Sequence, residues 1–373
     1  MASTCPRGFI GNNVGWESSC RSFIIGRMDY RTLGRTDLRV SLIGLGTMTW
    51  GLQNTQDEGF AQMDYALERG INLFDTAEMY AIPPSASTYG TTETIIGNWF
   101  ASRACRDQVI LATKIAGPGL SWVRGGHGHI DRTNIELAVD ASLKRLQTDY
   151  IDLYQLHWPN RGSYHFGQIW DYAPHVDVAA ERDNFIEVLQ TMQDLVLAGK
   201  IRHFGLSNET AWGLSQWLQL AEQHDLPRAV SIQNEYSLLC RHFEPDLSEM
   251  ALHEDCGLLA WSPLARGMLS GKYLHGARPA GARLTIETRK EHRTQPRTDA
   301  AIEKYIGIAK RHGLDPCQMA IAFVNSKPFV CSTLIGATNM QQLESDIDAC
   351  AVSLSPEVHK EIASIRREYP MLY

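Results

Sequence analysis

Eight short apolar runs recur along the chain: VSLIGLG, INLFD, QVILATK, YIDLYQLHW, IRHFGLS, AVSIQN, GLLAWSP and FVCSTLIG. Runs of this length bounded by polar residues fit buried strands. Between them the spacing changes. DEGFAQMDYALERG puts Phe60, Met63 and Leu67 on one helical face and stops at Gly70. TETIIGNWFA reads as a helix, and DRTNIELAVDASLKRL as another opened by Asp131 as its cap. Phe185, Val188, Leu189, Met192, Leu195 and Val196 recur at helical spacing after a polar and aromatic stretch, 158–181, and Gly199 ends that pattern. Strands alternating with helices build a parallel sheet, either open and doubly wound or closed. Eight repeats predict the closed form, a single (β/α)8 TIM barrel over residues 28–373 with extended βα loops. DYRTLG and LRVS suit an N-terminal β-hairpin at its base.

Composition bounds the partners of such a barrel. A chain of 373 residues with 44% hydrophobic side chains can fill one large core. The net charge of −7, with no basic run, argues against nucleic acid and leaves a small molecule as the default ligand. The eight cysteines are scattered without C-x-x-C or Cys/His zinc spacing. They predict no metal site and read as free thiols in a reducing, cytoplasmic setting. No apolar run reaches the roughly 18 residues of a membrane span. A homo-oligomer is compatible with the sequence, which carries no mark of one. Residues 1–27 hold Arg7, Arg21 and Arg27 against a single acid, Glu17, and read as an extension outside the fold. A disordered tail or an upstream start codon, with Met28 as the natural start, is the plain reading, and an organellar presequence the alternative.

In a barrel, ligands sit where strands end and βα loops begin. The second strand ends in Asp75, with Tyr80 in the loop that follows; the third ends in Lys114 and the fourth in His157. Each has a plain structural explanation alone: a turn cap, an amphipathic loop residue, a solvated lysine, a hydrogen-bonded core histidine. Their arrival on neighbouring strands points to a site. Gly44-x-Gly46-x-x-Thr49 lacks the third glycine of a dinucleotide-binding fingerprint and reads as a tight turn.

GINLFDTAEMY, ATK, DYIDLYQLHWP, GKIRHFGLSN, IQNEYSLL and WSPLARGMLSGKY together resemble the successive signatures of the aldo-keto reductases. The resemblance runs from residue 29 to about 365. GTMTWG, DTAEMYAIPP, SLKRLQTDY, LHWPNR and HGLDPCQMA are most similar to the Tas-like branch of bacterial NADP(H)-dependent members. The resemblance implies NADPH-dependent reduction of aldehydes, and possible ketones, on a barrel without a separate dinucleotide-binding domain. It implies Tyr80 as proton donor, Lys114 favouring its phenolate, Asp75 compensating the lysine, and His157 directing the substrate oxygen. Glu78 reads as a loop or rim residue.

Cofactor contacts carried over from the resemblance start with Thr47, and with Ser207, Asn208 and Gln233 for the nicotinamide amide and Trp261 beneath its ring. Ser262, Pro263, Leu264, Gly267 and Lys272 are implied to strap the pyrophosphate. Arg283 is implied to read the 2′-phosphate, with Arg278 and Arg289 as alternatives. Gly336, Thr338 and Gln342 match the adenosine-phosphate segment. That segment departs at Ser345-Asp346, where many relatives have Glu-Asn; Asp346 would accept from the adenine amino group or be surface charge. Trp158, Trp50 and Tyr236 are expected in the substrate pocket. Tyr164, His165, Phe166, Trp170 and Tyr172 would form an aromatic lid or pack the loop onto the rim. The resemblance also extends to potassium-channel β subunits, so a cofactor-binding regulatory protein with vestigial turnover is the second reading.

Overall fold

The computed structural model describes residues 28–287 and 293–372. The expected extension 1–27 and Arg289 lie outside the described residues. Strands β1 (Tyr30–Thr32) and β2 (Arg39–Ser41) pair antiparallel as the expected hairpin. They are followed by β3 (Ile43–Gly46), β4 (Leu73–Asp75), β5 (Ile110–Ile115), β6 (Ile151–Leu156), β7 (Ile201–Ser207), β8 (Ser231–Glu235), β9 (Gly257–Trp261) and β10 (Val330–Ile335). These last eight form a closed parallel barrel in sequence order, with β10 pairing back onto β3. The helices are α1 (Gln56–Glu68), α2 (Thr91–Arg103), α3 (Arg132–Leu146), α4 (Val178–Leu197), α5 (Ala211–Gln223), α6 (Leu247–His253), α7 (Arg283–Ile286), α8 (Pro296–Arg311), α9 (Pro316–Asn325), α10 (Met340–Asp348) and α11 (Pro356–Glu368).

Asp131 caps α3 as its sequence suggests, its side chain accepting from the Asn134 amide. Helix α4 starts earlier than expected. Asp177 accepts from the Ala180 amide and opens the helix at Val178, inside the stretch read as loop to 181. The first turn, Val178 to Glu181, has no buried side chain, so it carries no core-facing periodicity.

Strand alternation explains the interior. Side chains two apart on a strand share a face. Leu73, Ala112, Leu153 and Leu259 form one apolar cluster with Leu33, Leu38 and Val40 of the hairpin, which closes the base of the barrel. Two residues further along three of those strands, the same face becomes Asp75, Lys114 and Gln155. On the opposite face of the same strands, Phe74, Leu111 and Tyr154 belong instead to the larger core shared with the helices. Gly34 makes the hairpin's close approach possible: its φ is +56°, and a Cβ there would stand 2.4 Å from the Val230 carbonyl oxygen. The barrel thus has a leucine floor and a polar storey above it.

Candidate active site

The polar storey is one hydrogen-bonded unit. Lys114 Nζ donates to Asp75 Oδ2 at 2.7 Å and to the Thr76 carbonyl at 2.8 Å, and lies 3.5 Å from the Tyr80 hydroxyl. The other carboxylate oxygen, Asp75 Oδ1, accepts from Gln155 Nε2 at 3.1 Å and Gln233 Nε2 at 2.8 Å. Thr47 donates to the Asp75 carbonyl at 2.9 Å, fixing the end of β4. Asp75, Lys114, Gln155 and Gln233 are all buried. A buried ion pair holds only when its remaining donors and acceptors are satisfied, and the two glutamines and Thr76 supply that. Gln155 is a member of the unit that sequence reasoning missed; its position two residues after Leu153 is the signal that could have found it.

Electrostatics follow from this packing. Burial alone would depress the Lys114 ammonium, but the Asp75 carboxylate and Tyr80 outweigh it and raise its pKa. Burial pushes the Tyr80 phenol above its usual value, Lys114 pulls it down, and Asp75 pushes it up again. The lysine therefore acts in the direction expected, but burial wins and the phenol keeps its proton. His157 packs edge-on to Tyr80 with ring centroids 5.8 Å apart. Burial, then the Lys114 charge, hold its imidazole well below its ordinary pKa, so it is neutral near pH 7.

Above Tyr80 the wall is apolar. Half-buried Met48, Ile82, Leu120, Trp122 and Trp158 pack around it with Met79 and Val123. Trp158 is thus at the mouth, its indole donating to the Pro118 carbonyl at 3.0 Å. Trp50 and Tyr236 are not: both are fully buried in the outer core. The Trp50 indole donates to Gln62 at 3.0 Å, and the Tyr236 hydroxyl to Glu244 at 2.5 Å. Each aromatic satisfied its polar atom inside the core and turned away from the mouth. Glu78 lies in the loop after β4, as expected, but not at its rim. It is fully buried, and its carboxylate accepts from the Ala116 amide, Arg124 and Tyr89.

The loop after β6 divides between its two readings. His165 is buried against the Glu209 carbonyl at 3.2 Å, whereas Phe166, Trp170 and Tyr172 are exposed, and Tyr172 lies edge-on to Tyr164. Phe166 lies over Trp261 at 6.3 Å with 24° between the rings.

Around the rest of the rim, Ser207 donates to the Gln233 carbonyl at 2.8 Å and Asn208 to the His157 carbonyl at 2.9 Å. Asn208 Oδ1, Trp261 Nε1 and His157 Nδ1 are buried without a hydrogen bond. Orphaned polar atoms at one rim are what a ligand with donors and acceptors would satisfy. After β9, Ser262 Oγ accepts from the Arg266 amide at 2.9 Å, Pro263 is buried and Leu264 packs on the core. Gly267 has φ +87°, and a Cβ there would meet Lys272 Cε and Nζ at 3.0 Å. Arg278 is an exposed loop residue. Arg283 lies closer in: it contacts Glu287 at 3.4 Å and Met48 Sδ at 3.5 Å. Gly336 and Gln342 are exposed, and Gln342 Oε1 accepts from the Thr338 amide and hydroxyl, each at 3.1 Å. Asp346 is 4% exposed, which overturns its reading as surface charge.

Comparison with known sequences agrees with this architecture. The model of the Aldo/keto reductase family matches residues 42–367. Protein tas of Escherichia coli is 48% identical over 348 residues, covering 92% of this chain and 99% of that one. An uncharacterized oxidoreductase of Bacillus subtilis, YrpG, is 35% identical over 91% of this chain and 96% of its own. A probable voltage-gated potassium channel subunit beta of rice is 31% identical over 92% of this chain and 98% of its own. With its closed eight-stranded barrel and its buried Asp75–Lys114 pair beside Tyr80, the chain belongs to the aldo/keto reductase family and is an oxidoreductase.

Proposed function

We propose that this chain reduces aldehydes to alcohols with NADPH, with Tyr80 as the proton donor. The observation that carries the reading is the Tyr80 hydroxyl 3.5 Å from a lysine that is itself locked to Asp75 at 2.7 Å, under an apolar mouth. A bound nicotinamide supplies the hydride that turns a carbonyl into an alkoxide. The alkoxide is a far stronger base than a phenolate, so proton transfer from Tyr80 is downhill even with its raised pKa. Lys114 then faces the phenolate and Asp75 keeps the lysine charged. Neutral His157 has one nitrogen free to hydrogen-bond the carbonyl oxygen and orient it.

The unpaired Asn208 Oδ1 and Trp261 Nε1 fit a ligand bearing a carboxamide and a flat ring. Ser207 and Asn208 would hold the amide; Gln233 spends its amide nitrogen on Asp75 and Gln155, so it couples that subsite to the ion pair. The 262–272 strap, with Gly267 admitting close backbone approach, would hold the pyrophosphate. Arg283, Gly336, Thr338 and Gln342 would hold the adenosine phosphate. Residues 28–373 act as the one catalytic unit in this reading.

The rice relative named as a channel subunit supports a second reading, a regulatory protein that binds NADPH and turns over little. Reduced-nicotinamide absorbance, followed with short aliphatic, aromatic and α-dicarbonyl aldehydes, separates the two. NADPH-selective turnover supports the reductase; tight NADPH binding with no turnover on any aldehyde sinks it.

A further inference from the structure

Glu78 lies two residues before Tyr80 and is fully buried, yet takes no part in the ion pair beneath it. Its backbone N–H donates to the Lys114 carbonyl at 3.2 Å, and its carbonyl accepts from Gly90 at 2.8 Å. Oε1 accepts from the Ala116 amide and from Arg124 Nη1, both at 2.7 Å; Oε2 accepts from Arg124 Nη1 at 2.9 Å and the Tyr89 hydroxyl at 2.5 Å. Arg124 Nη2 also donates to the Ala116 carbonyl at 3.0 Å. One carboxylate therefore ties together the end of the strand bearing Lys114, the loop bearing Tyr80, the entry to α2 and the loop after β5.

That last loop, GPGLSWVRGGHGHI at 117–130, has little stiffness of its own. Gly119, Gly125 and Gly126 are exposed, with φ of +106°, +66° and +89°. Yet it lays Val123 fully, and Leu120 and Trp122 partly, against the cluster around Tyr80. Trp122 meets Tyr89 edge-on at 5.7 Å. A glycine-rich segment holds such a wall only if something fixes it, and the half-buried Arg124 guanidinium on the buried Glu78 is that fixture.

We infer that the Arg124–Glu78 pair is a latch that holds the 117–130 loop as one wall of the substrate pocket, so that Trp122 selects aldehydes with an aromatic or other flat apolar tail. This rests on the reading of Tyr80 as the proton donor. Glu78 and Arg124 are positioning residues; neither touches the reacting atoms.

The test compares benzaldehyde with propanal for the wild type, Arg124→Gln and Trp122→Ala. Both variants are expected to raise the benzaldehyde KM by about tenfold more than the propanal KM, the scale of a lost apolar pocket contact. NADPH affinity, read by quenching of protein fluorescence, should stay within about twofold. Equal losses for the two aldehydes, or a loss confined to kcat, would overturn the latch. Hydrogen exchange of amides 117–130 reads it without turnover: Arg124→Gln should accelerate exchange there by about tenfold or more, and unchanged exchange refutes the proposal. A wild type that turns over neither aldehyde, with exchange still accelerated in Arg124→Gln, would remove the Tyr80 reading and the selectivity claim while leaving the mechanical latch. Should Arg124→Gln fail to fold, Arg124→Lys keeps the charge and loses the two-pronged geometry, and the same selectivity ratio decides.

Discussion

The Asp75–Lys114 cluster and the Arg283–Asp346 region lie on one barrel rim but are built in opposite ways. In the first, a buried carboxylate receives Lys114, Gln155 and Gln233, all presented by rigid strand ends. In the second, Arg283 sits on the four-residue helix α7 and is paired with Glu287, Gln342 is occupied by Thr338, and Asp346 is a buried carboxyl flanked by Asp315 and Lys272. The first cluster is complete before any ligand arrives. The second must exchange partners to hold one. On the proposed reaction, preorganisation is therefore concentrated where charge would develop, which is where it lowers a barrier.

Breaking the preorganised side should have the largest effect. Tyr80→Phe removes the proposed proton donor and keeps the ring, so on that reading turnover should fall by about a hundredfold to ten-thousandfold with NADPH affinity nearly unchanged. Stopped-flow turnover beside a binding titration checks it; a variant retaining most of its activity would mean the proton comes from elsewhere.

Next comes the ion pair as structure. Lys114→Met leaves Asp75 buried with two amides and no cation, which should cost about 3–5 kcal/mol of stability. Denaturant midpoints measure it. A loss below about 1 kcal/mol, the range of exposed pairs, would show that the pocket is wetter than its packing indicates.

Arg283 sharpens the contrast. Its charge is felt at Tyr80, and burial and Arg266 hold its own pKa below the usual guanidinium value. To reach a 2′-phosphate it must leave Glu287. Arg283→Ala should weaken NADPH by about tenfold and NADH much less, the worth of a charge-assisted bond reduced by the partner surrendered. Equal weakening of both would assign Arg283 to the mouth beside Met48.

The same contrast governs what the sequence discloses. The barrel was legible because eight strand-like runs leave only two sheet architectures. Asp75 and Lys114 were legible because each ends an apolar strand run, on neighbouring strands, where βα loops begin. Partners from other elements and loops were not. Trp50 found Gln62 on α1, Tyr236 found Glu244, and Glu78 found Arg124 across 46 residues. An aromatic or acid in a loop carries no local sign of which way it turns, because the group that satisfies it arrives only with the tertiary fold. Asp346 is the same case: helical spacing permits either face, and packing of α10 on α9 selected the inner one.

Asp346 gives the smallest expected effect and the finest test of the provisional side. Burial first, then the Asp315 charge, raise its carboxyl to about 7 against the pull of Lys272. In the unfolded chain an aspartate titrates near ~3.9. A folded pKa above the unfolded one means that the native state holds the proton more tightly. Stability from that proton is complete at pH below about 4 and is lost as pH rises through about 7. Asp346→Asn mimics the neutral form at every pH. It should raise Tm relative to the wild type at about pH 8 and leave the difference near zero at about pH 4. The carboxylate formed at high pH also opposes the Lys272 charge next to the strap. NADPH affinity should therefore fall more steeply between about pH 6 and 8 in the wild type than in Asp346→Asn. The cofactor's own phosphate titrates in both proteins and cancels in that difference. Parallel profiles would mean that Lys272 neutralises Asp346 fully, and that this end is as preorganised as the other.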